Sequence, residues 1–258
     1  MPKPPSKYMD NKNNKQVYNI GPVSYIWHKI FVDNNIPAGG AVIEVAPGHE
    51  PKICHALSLL RFKGCLFLIE PDAVAAAHAL SAYRRILPDA CVWAIVKPLQ
   101  DVRVGMDVPV GVDALVASHP FDDMVIAAIL KRPSFFSEEM KERVIISASS
   151  HALYDTMRDG DYTVGTIKTV AVWKKCVSRL KPNLFIASQY PSRTLYLKKL
   201  LKRQSSGFAV LAQLKKFYKD FLVERDYPTF GFKGESRWWI VVDKRSSKLV
   251  PTGFSTLA

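Results

Sequence analysis

The sequence predicts an α/β protein with a mostly parallel sheet and helices on both of its faces. Short apolar runs of strand length alternate with segments whose apolar residues recur at helical spacing. This alternation is typical of parallel strands joined by right-handed helical crossovers. The 258 residues are enough for a large packed core, and no internal repeat is evident. We therefore expect a single α/β domain over residues 21–258.

Five apolar runs fit strands that are buried on both faces of a sheet, and helical patterns lie between them. The predicted strands are 41–46, 65–70, 92–96, 113–118 and 184–188. The predicted helices are 25–32, 51–61, 73–87, 122–130, 137–157, 164–180, 192–202 and 208–225, with a break at Ser205, Ser206 and Gly207 between the last two. Two final runs, 229–232 and 237–242, predict an antiparallel hairpin at the carboxyl end. Residues 1–20 are polar and rich in Asn and Lys, and we expect them to be flexible.

The composition excludes several classes of protein. Hydrophobic residues make up 48% of the chain and charged residues 23%, which excludes wholesale disorder. The four cysteines lie far apart, without a Cys-x-x-Cys motif or a His pair at metal spacing, so we expect reduced thiols and no metal site. No apolar run is long enough to cross a bilayer, and the first residues lack an apolar signal segment. We therefore expect a soluble cytoplasmic protein that does not bind a membrane.

The positive charge is concentrated in the last third of the chain. Residues 163–258 contain 19 Lys and Arg against 5 Asp and Glu, a net charge of +14, whereas residues 1–162 have a net charge of −1. A basic excess on one part of a protein favours a polyanionic partner such as RNA. The alternative interpretation is a set of solvated helix faces that only keeps the protein soluble.

The carboxyl ends of the predicted strands are the place to look for a ligand, because parallel sheets bind ligands beyond those ends. The first strand ends in Glu44-Val45-Ala46-Pro47-Gly48, a tight turn that lets a ligand approach the backbone. The second strand ends at Glu70, which lies 22 residues after Gly48 and is suited to accept hydrogen bonds from both ribose hydroxyls. A Gly-x-Gly-x-x-Gly motif is missing, which argues against a dinucleotide.

With these features, residues 25–243 resemble the class I S-adenosylmethionine-dependent methyltransferases, a family with a Rossmann-like fold. The resemblance implies that the turn after the first strand and the acid after the second bind S-adenosylmethionine, and that the loop after the third strand covers its adenine. The implied cofactor-binding residues are Glu44, Ala46, Pro47, Gly48, Glu70, Pro71, Leu99, Asp101 and Ser118. The sequence departs from the family in keeping one glycine of its usual glycine-rich turn, and Asp101 comes four residues after Lys97.

The loop after the fourth strand lies on the substrate side in this family, and here it contains candidate catalytic residues. His119 is the natural candidate for a general base, and Asp122 or Asp123 would orient it or bind a substrate amine. The alternative interpretation is that Asp122 caps the following helix and His119 only makes a hydrogen bond within its loop.

The Ala-Pro-Gly turn is also similar to that of RNA ribose 2′-O-methyltransferases. The Lys-Asp-Lys-Glu tetrad of that group is incomplete here, since His119 stands where its Asp would be and the fifth strand has no Lys. The predicted function is a methyltransferase acting on RNA or another anionic substrate. The alternatives are a methyltransferase for small molecules, acting at oxygen or nitrogen, and an inactive binding module with the same fold.

Overall fold

The computed structural model describes residues 21–48, 51–132, 160–192, 195–196, 199–224, 227 and 236–245. The strands are β1 (Ala41–Val45), β2 (Cys65–Ile69), β3 (Cys91–Ile95), β4 (Ala114–Ser118), β5 (Leu184–Ser188) and β6 (Trp239–Asp243). The α-helices are α1 (Pro22–Asp33), α2 (Lys52–Leu59), α3 (Ala73–Ile86), α4 (Phe121–Leu130), α5 (Thr163–Leu180) and α6 (Leu201–Phe217). Short 3-10 helices cover Leu99–Asp101, Lys219–Phe221 and Ser236–Trp238.

The six strands form one sheet in the order β3-β2-β1-β4-β5-β6. The first five strands are parallel, and β6 pairs antiparallel with β5. The order reverses between β1 and β4, so the connections run outward in both directions from these two central strands. A crevice at the carboxyl ends of the strands is expected at such a point. The predicted Rossmann-like α/β fold is therefore confirmed.

Each face of the sheet is covered by its own hydrophobic core, because alternate residues of a strand point to opposite faces. Ile43 and Val45 belong to the core formed with α4, α5 and α6. Val42 precedes Ile43 and lies on the other face, where it belongs to the core formed with α1, α2 and α3. The strands are therefore buried on both sides, which explains why they are continuous apolar runs in the sequence.

The connection between β3 and β4 has no α-helix, although a helix is usual in such a crossover. Residues 96–113 contain only the 3-10 helix Leu99–Asp101. The loop is held by an ion pair of 2.7 Å between Lys97 Nζ and Asp107 Oδ2. Without a covering helix, Trp93 on the edge strand is 44% exposed and stacks on Phe67, with 5.0 Å between the ring centroids.

The predicted break at Ser205, Ser206 and Gly207 is wrong, because α6 runs through these residues without interruption. A Cβ atom on Gly207 would lie 2.7 Å from the Gln189 Nε2 atom, so this glycine permits a close helix contact. Ser206 donates a 2.7 Å hydrogen bond to the Arg203 carbonyl within the helix. Ser206 and Gly207 are buried and form a packing surface, whereas Ser205 is exposed.

Only the second half of the predicted terminal hairpin lies within the described residues. Its second run becomes β6, and its first run, 229–232, lies outside the described residues. Leu222 forms a bridge to Val242 on the outer side of β6, and Val223 donates a backbone hydrogen bond to Val241. The predicted helix 137–157 and residues 1–20 also lie outside the described residues. Among the helices that the structure describes, none is long and apolar enough to cross a membrane.

Candidate functional site

The turn after β1 has a backbone conformation that fixes its shape. Ala46 has a φ of 54° and Gly48 a φ of 61°, both in the left-handed region. This region is unfavourable for alanine but not for glycine. The Ala46 amide donates a 2.9 Å hydrogen bond to the Ile69 carbonyl, which joins the turn to the end of β2. The ends of the two strands are thereby brought together.

Glu70, directly after β2, connects two loops through its carboxylate. One carboxylate oxygen accepts a 3.3 Å hydrogen bond from the Gly48 amide, and the other accepts a 3.1 Å hydrogen bond from the Asp72 amide. Burial raises the pKa of Glu70 to about 7, although the two amides act in the opposite direction. Asp72 caps α3 by accepting hydrogen bonds from the amides of Val74 and Ala75. The carboxylate is thus fixed in place and has no basic partner among its recorded contacts.

A cavity of about 740 Å³ opens beside Glu70. Its walls come from the turn after β1, the end of β2, the 3-10 helix after β3, one side of α4 and the first half of α5. The predicted site residues that line it are Ala46, Gly48, Glu70, Pro71, Leu99, Asp101 and Asp123. The volume falls in the range of small-molecule and cofactor sites.

Five predicted site residues do not line this cavity: Glu44, Pro47, Ser118, His119 and Asp122. Glu44 is buried on the face of the sheet that packs against α3, where it accepts a hydrogen bond from the Tyr83 hydroxyl. Burial raises the pKa of Glu44 to about 8, although the Tyr83 hydrogen bond acts to lower it. Ser118 Oγ accepts a 3.3 Å hydrogen bond from the Trp27 indole. The side chains of Glu44 and Ser118 therefore form hydrogen bonds inside the protein.

His119 lies in a network of hydrogen bonds after β4, with a φ of 64°. Its Nε2 atom is 2.7 Å from the Tyr190 carbonyl, and its Nδ1 atom is 3.3 Å from an Asp122 carboxylate oxygen. Burial alone would lower the pKa of His119, but the Asp122 carboxylate, together with Asp123 and the Tyr190 carbonyl, outweighs it and the net shift is upward. An imidazolium that donates from both nitrogens fits this geometry. Of the two aspartates considered for orienting His119, Asp122 contacts the ring, which faces a carbonyl and does not line the cavity.

Arg203 of α6 is a part of this network that the sequence did not indicate. It is 2% exposed, and its Nε atom donates a 3.1 Å hydrogen bond to the Asp122 carboxylate, while its other end contacts Asp123. Gln189 completes the arrangement with a 2.9 Å hydrogen bond to Asp122. A buried, paired aspartate is thus held at the start of α4, and the neighbouring Asp123 lies in the cavity wall.

The other lining residues that sequence reasoning missed come from the end of α4 and from α5. Lys131, Arg132, Lys168 and Thr169 belong to the cavity wall. Thr169 Oγ1 is buried and has no hydrogen-bond partner among the described residues. The basic character of residues 163–258 was a sequence signal for Lys168, but not for Lys131 and Arg132, which precede that segment. Within the described ranges, no group of three or more His, Cys, Asp or Glu is placed to hold a metal ion.

Comparisons with known proteins find similar structures but no similar sequence. No protein-family model matches the chain. No curated protein matches it either. A candidate rRNA-methylase from Clostridium thermocellum is 14% identical, with a TM-score of 0.47 over 87% of this chain and 98% of that one. The methyltransferase domain of bacterial CtHen1-CN is 10% identical, with a TM-score of 0.46 over 85% and 97%. A human methyltransferase 10 domain containing protein is 12% identical, with a TM-score of 0.46 over 86% and 82%. At TM-scores below 0.5, these likenesses carry no argument about the activity of this chain.

Proposed function

We propose that this protein is an S-adenosylmethionine-dependent methyltransferase that acts on RNA. The observation that carries the proposal is the convergence of three loops on one cavity. The turn at Ala46–Gly48, the Glu70 carboxylate and the 3-10 helix Leu99–Asp101 all line it, at the carboxyl ends of three adjacent parallel strands.

The residues of the cavity fit the cofactor. A carboxylate at the end of β2 suits the two hydroxyls of a ribose, and Glu70 is held there by two backbone amides. Apolar side chains of Ile69, Leu99 and Met124 line the space around it and suit an adenine ring. Glu70, Asp101 and Asp123 supply the negative charge that suits a sulfonium and an ammonium group.

When bound, the cofactor supplies an activated methyl group, and methyl transfer of this kind depends mainly on proximity and orientation. The residues of the chain therefore bind and position the reactants. Glu70 holds the ribose, and Asp123 lies in the wall at the start of α4, where Arg203 fixes it. His119 and Asp122 act through their hydrogen bonds as positioning residues, because both lie outside the cavity.

The basic surface supports RNA as the substrate class. Exposed cations occur along α5 and α6 and at the ends of these helices; they include Lys168, Lys175, Arg179, Lys181, Lys199, Lys202 and Lys216. The two helices pack against each other and against α4, so this charge lies on the same side of the sheet as the cavity. RNA phosphates are the polyanion that such a surface suits, and their binding depends steeply on salt.

The first test is calorimetric titration with S-adenosylmethionine and S-adenosylhomocysteine. We expect micromolar binding that is lost in Glu70→Ala. The matched control is Asp89→Ala, which removes an exposed carboxylate at the amino ends of the strands, just before β3, and leaves binding unchanged. Absence of binding to the folded wild-type protein would contradict the proposal.

A second experiment then tests the substrate. Transfer of a radioactive methyl group from the cofactor to a total RNA preparation is expected, and it should be abolished by ribonuclease treatment of the acceptor. Transfer to small-molecule fractions alone would favour a small-molecule methyltransferase, and binding of RNA without any transfer would favour an inactive binding module.

A further inference from the structure

The charges of the cavity are segregated. The carboxylates of Glu70, Asp101 and Asp123 come from the strand ends and the start of α4. The cations Lys131, Arg132 and Lys168 come from the end of α4 and from α5. Asp123 and Lys131 are eight residues apart, a distance of about 12 Å along a helix. The cavity therefore has an acidic part and a basic part.

A close contact between helices places the two lysines on the same cavity wall. A Cβ atom on Gly165 of α5 would lie 2.8 Å from the Val125 carbonyl and 2.9 Å from the Ile129 side chain of α4. Glycine therefore allows α5 to sit directly on α4. Lys168 lies three residues after this contact, and Lys131 ends α4 with a φ of 51°. The backbone of each lysine is thereby fixed.

Helix stability does not account for both lysines. A cation at the carboxyl end of a helix is stabilised by the helix dipole, which explains a lysine at position 131. Lys168 lies in the amino-terminal half of α5, where a cation gains nothing from the dipole. Both side chains are exposed, and no ion pair to either is recorded within the described residues.

The sulfonium and the ammonium group of the cofactor suit the acidic part of the cavity, and its one carboxylate lies beside the ammonium group, so we assign neither of these cations to the cofactor. They suit an anionic group of the second reactant. Thr169, next to Lys168, adds a buried hydroxyl that has no hydrogen-bond partner among the described residues. A phosphate oxygen accepts hydrogen bonds from both ammonium and hydroxyl groups.

We propose that Lys131 and Lys168 bind a backbone phosphate of a single-stranded RNA next to the nucleotide that is methylated. This inference rests on the proposed function, since it assigns the substrate side of the same cavity. The reacting atom must reach the cavity, and a base stacked inside a duplex cannot do so. Lys175 and Arg179 follow Lys168 on the exposed side of α5, at about 10 and 16 Å, and continue the phosphate path outside the cavity.

The test is fluorescence anisotropy with a fluorescein-labelled single-stranded RNA of twelve nucleotides, at a series of KCl concentrations. The variant is Lys131→Gln/Lys168→Gln. We expect the Kd to rise at least tenfold at low salt. We expect the slope of log K against log salt to become shallower by about 0.7, because the two lysines neutralise one phosphate and each phosphate on a single strand contributes about 0.7. Lys168→Gln alone should change the slope by about half as much.

The matched control is Arg61→Gln/Lys63→Gln, which removes two exposed cations before β2, at the amino ends of the strands and away from the cavity at their carboxyl ends. It should leave the Kd and the salt slope as in the wild type. Equal Kd and slope in the lysine variant and the wild type would overturn the proposal, as would an equal loss in the control. A further contrary result is a mononucleotide that competes with the labelled RNA as well as the unlabelled twelve-nucleotide strand does at the same concentration. That result would overturn the proposal and favour a small phosphorylated acceptor.

Titration with S-adenosylhomocysteine separates this inference from the proposed function. The lysine variant should bind it within twofold of the wild type, and a larger loss would show that the lysines hold the carboxylate of the cofactor and would overturn the proposal. If the wild type binds the labelled RNA through these lysines but does not bind S-adenosylhomocysteine, the methyltransferase proposal fails and the phosphate site stands.

Discussion

Tyr83 donates a 2.5 Å hydrogen bond to Glu44 across the interface between α3 and β1. Both side chains are buried, and no cation contacts the carboxyl group in the recorded ion pairs of the described residues. Burial is the main reason that the pKa of Glu44 rises to about 8. The carboxyl group is therefore protonated at neutral pH and lies directly behind the turn that we assign to the cofactor.

The first prediction is a pH dependence of stability that comes from Glu44. Its pKa is higher in the folded protein than in the unfolded chain, so its contribution to stability is lost as the pH rises from about 4.5 to about 8. Glu44→Gln keeps a hydrogen-bond acceptor for Tyr83 but does not titrate. We expect this variant to be more stable than the wild type at pH 9 by about 2 kcal/mol or more, and similar at pH 5. Urea denaturation at both pH values measures this difference in stability. The same pH dependence of stability in the two proteins would contradict the prediction.

The second prediction concerns the pH dependence of cofactor binding. Burial raises the pKa of Glu70 to about 7, so the carboxylate that accepts the ribose hydroxyls forms mainly above this pH. The affinity for S-adenosylhomocysteine should rise about tenfold between pH 6 and pH 8, in proportion to the ionised fraction. Glu70→Gln should bind weakly and without this dependence. A wild-type affinity that is constant from pH 6 to pH 8 would show that Glu70 does not take this role.

The third prediction is that Arg203 is required for stability. Arg203→Met leaves the buried Asp122 carboxylate without its arginine, and loss of one partner of a buried ion pair costs about 3–5 kcal/mol. The double variant Asp122→Asn/Arg203→Met removes both charges and should recover a large part of this loss. Chemical denaturation of the two variants measures the free energy of unfolding of each and so checks the coupling between Asp122 and Arg203. A single variant within 1 kcal/mol of the wild type (about the scale of a surface ion pair) would contradict it.

The fourth prediction tests the contact between α4 and α5. Gly165→Ala places a methyl group 2.8 Å from the Val125 carbonyl, and overpacking of this kind costs about 1–3 kcal/mol. The overpacking displaces α5, which forms part of the cavity wall. The affinities for the cofactor and for RNA should therefore both fall. Gly39→Ala is the control, since a Cβ atom there has no neighbour within 4 Å. Thermal unfolding should give a lower melting temperature for Gly165→Ala than for Gly39→Ala. Equal melting temperatures would contradict the prediction.

The strands and the acid after β2 could be predicted from the sequence because the information is local. Each buried strand is a continuous apolar run, and the observed bounds agree with the predicted ones to within one residue. Glu70 followed from its position at the end of such a run. Local sequence also decides the face of a strand on which a side chain lies, since alternate residues point to opposite sides. This places Glu44, between Ile43 and Val45, on the side away from the cavity.

The remaining features depend on contacts between distant parts of the chain. Arg203 and Asp122 are 81 residues apart, and nothing in either local pattern indicates that they pair. Gly207 looks like a helix break until Gln189 is placed against it. The cationic wall likewise needs α5 to be packed on α4 through Gly165 before Lys168 and Lys131 can be assigned to one cavity.

The alanine at position 46 affects how the turn after β1 responds to a ligand. An alanine with a φ of 54° is disfavoured by about 1 kcal/mol relative to glycine, but the unfolded chain has fewer conformations to lose at this position. The turn is therefore stiffer than its glycine-rich equivalents, and less conformational entropy remains to be lost when a ligand binds against it. A binding surface of this kind favours a ligand that matches its existing shape and discriminates against one that requires the backbone to move.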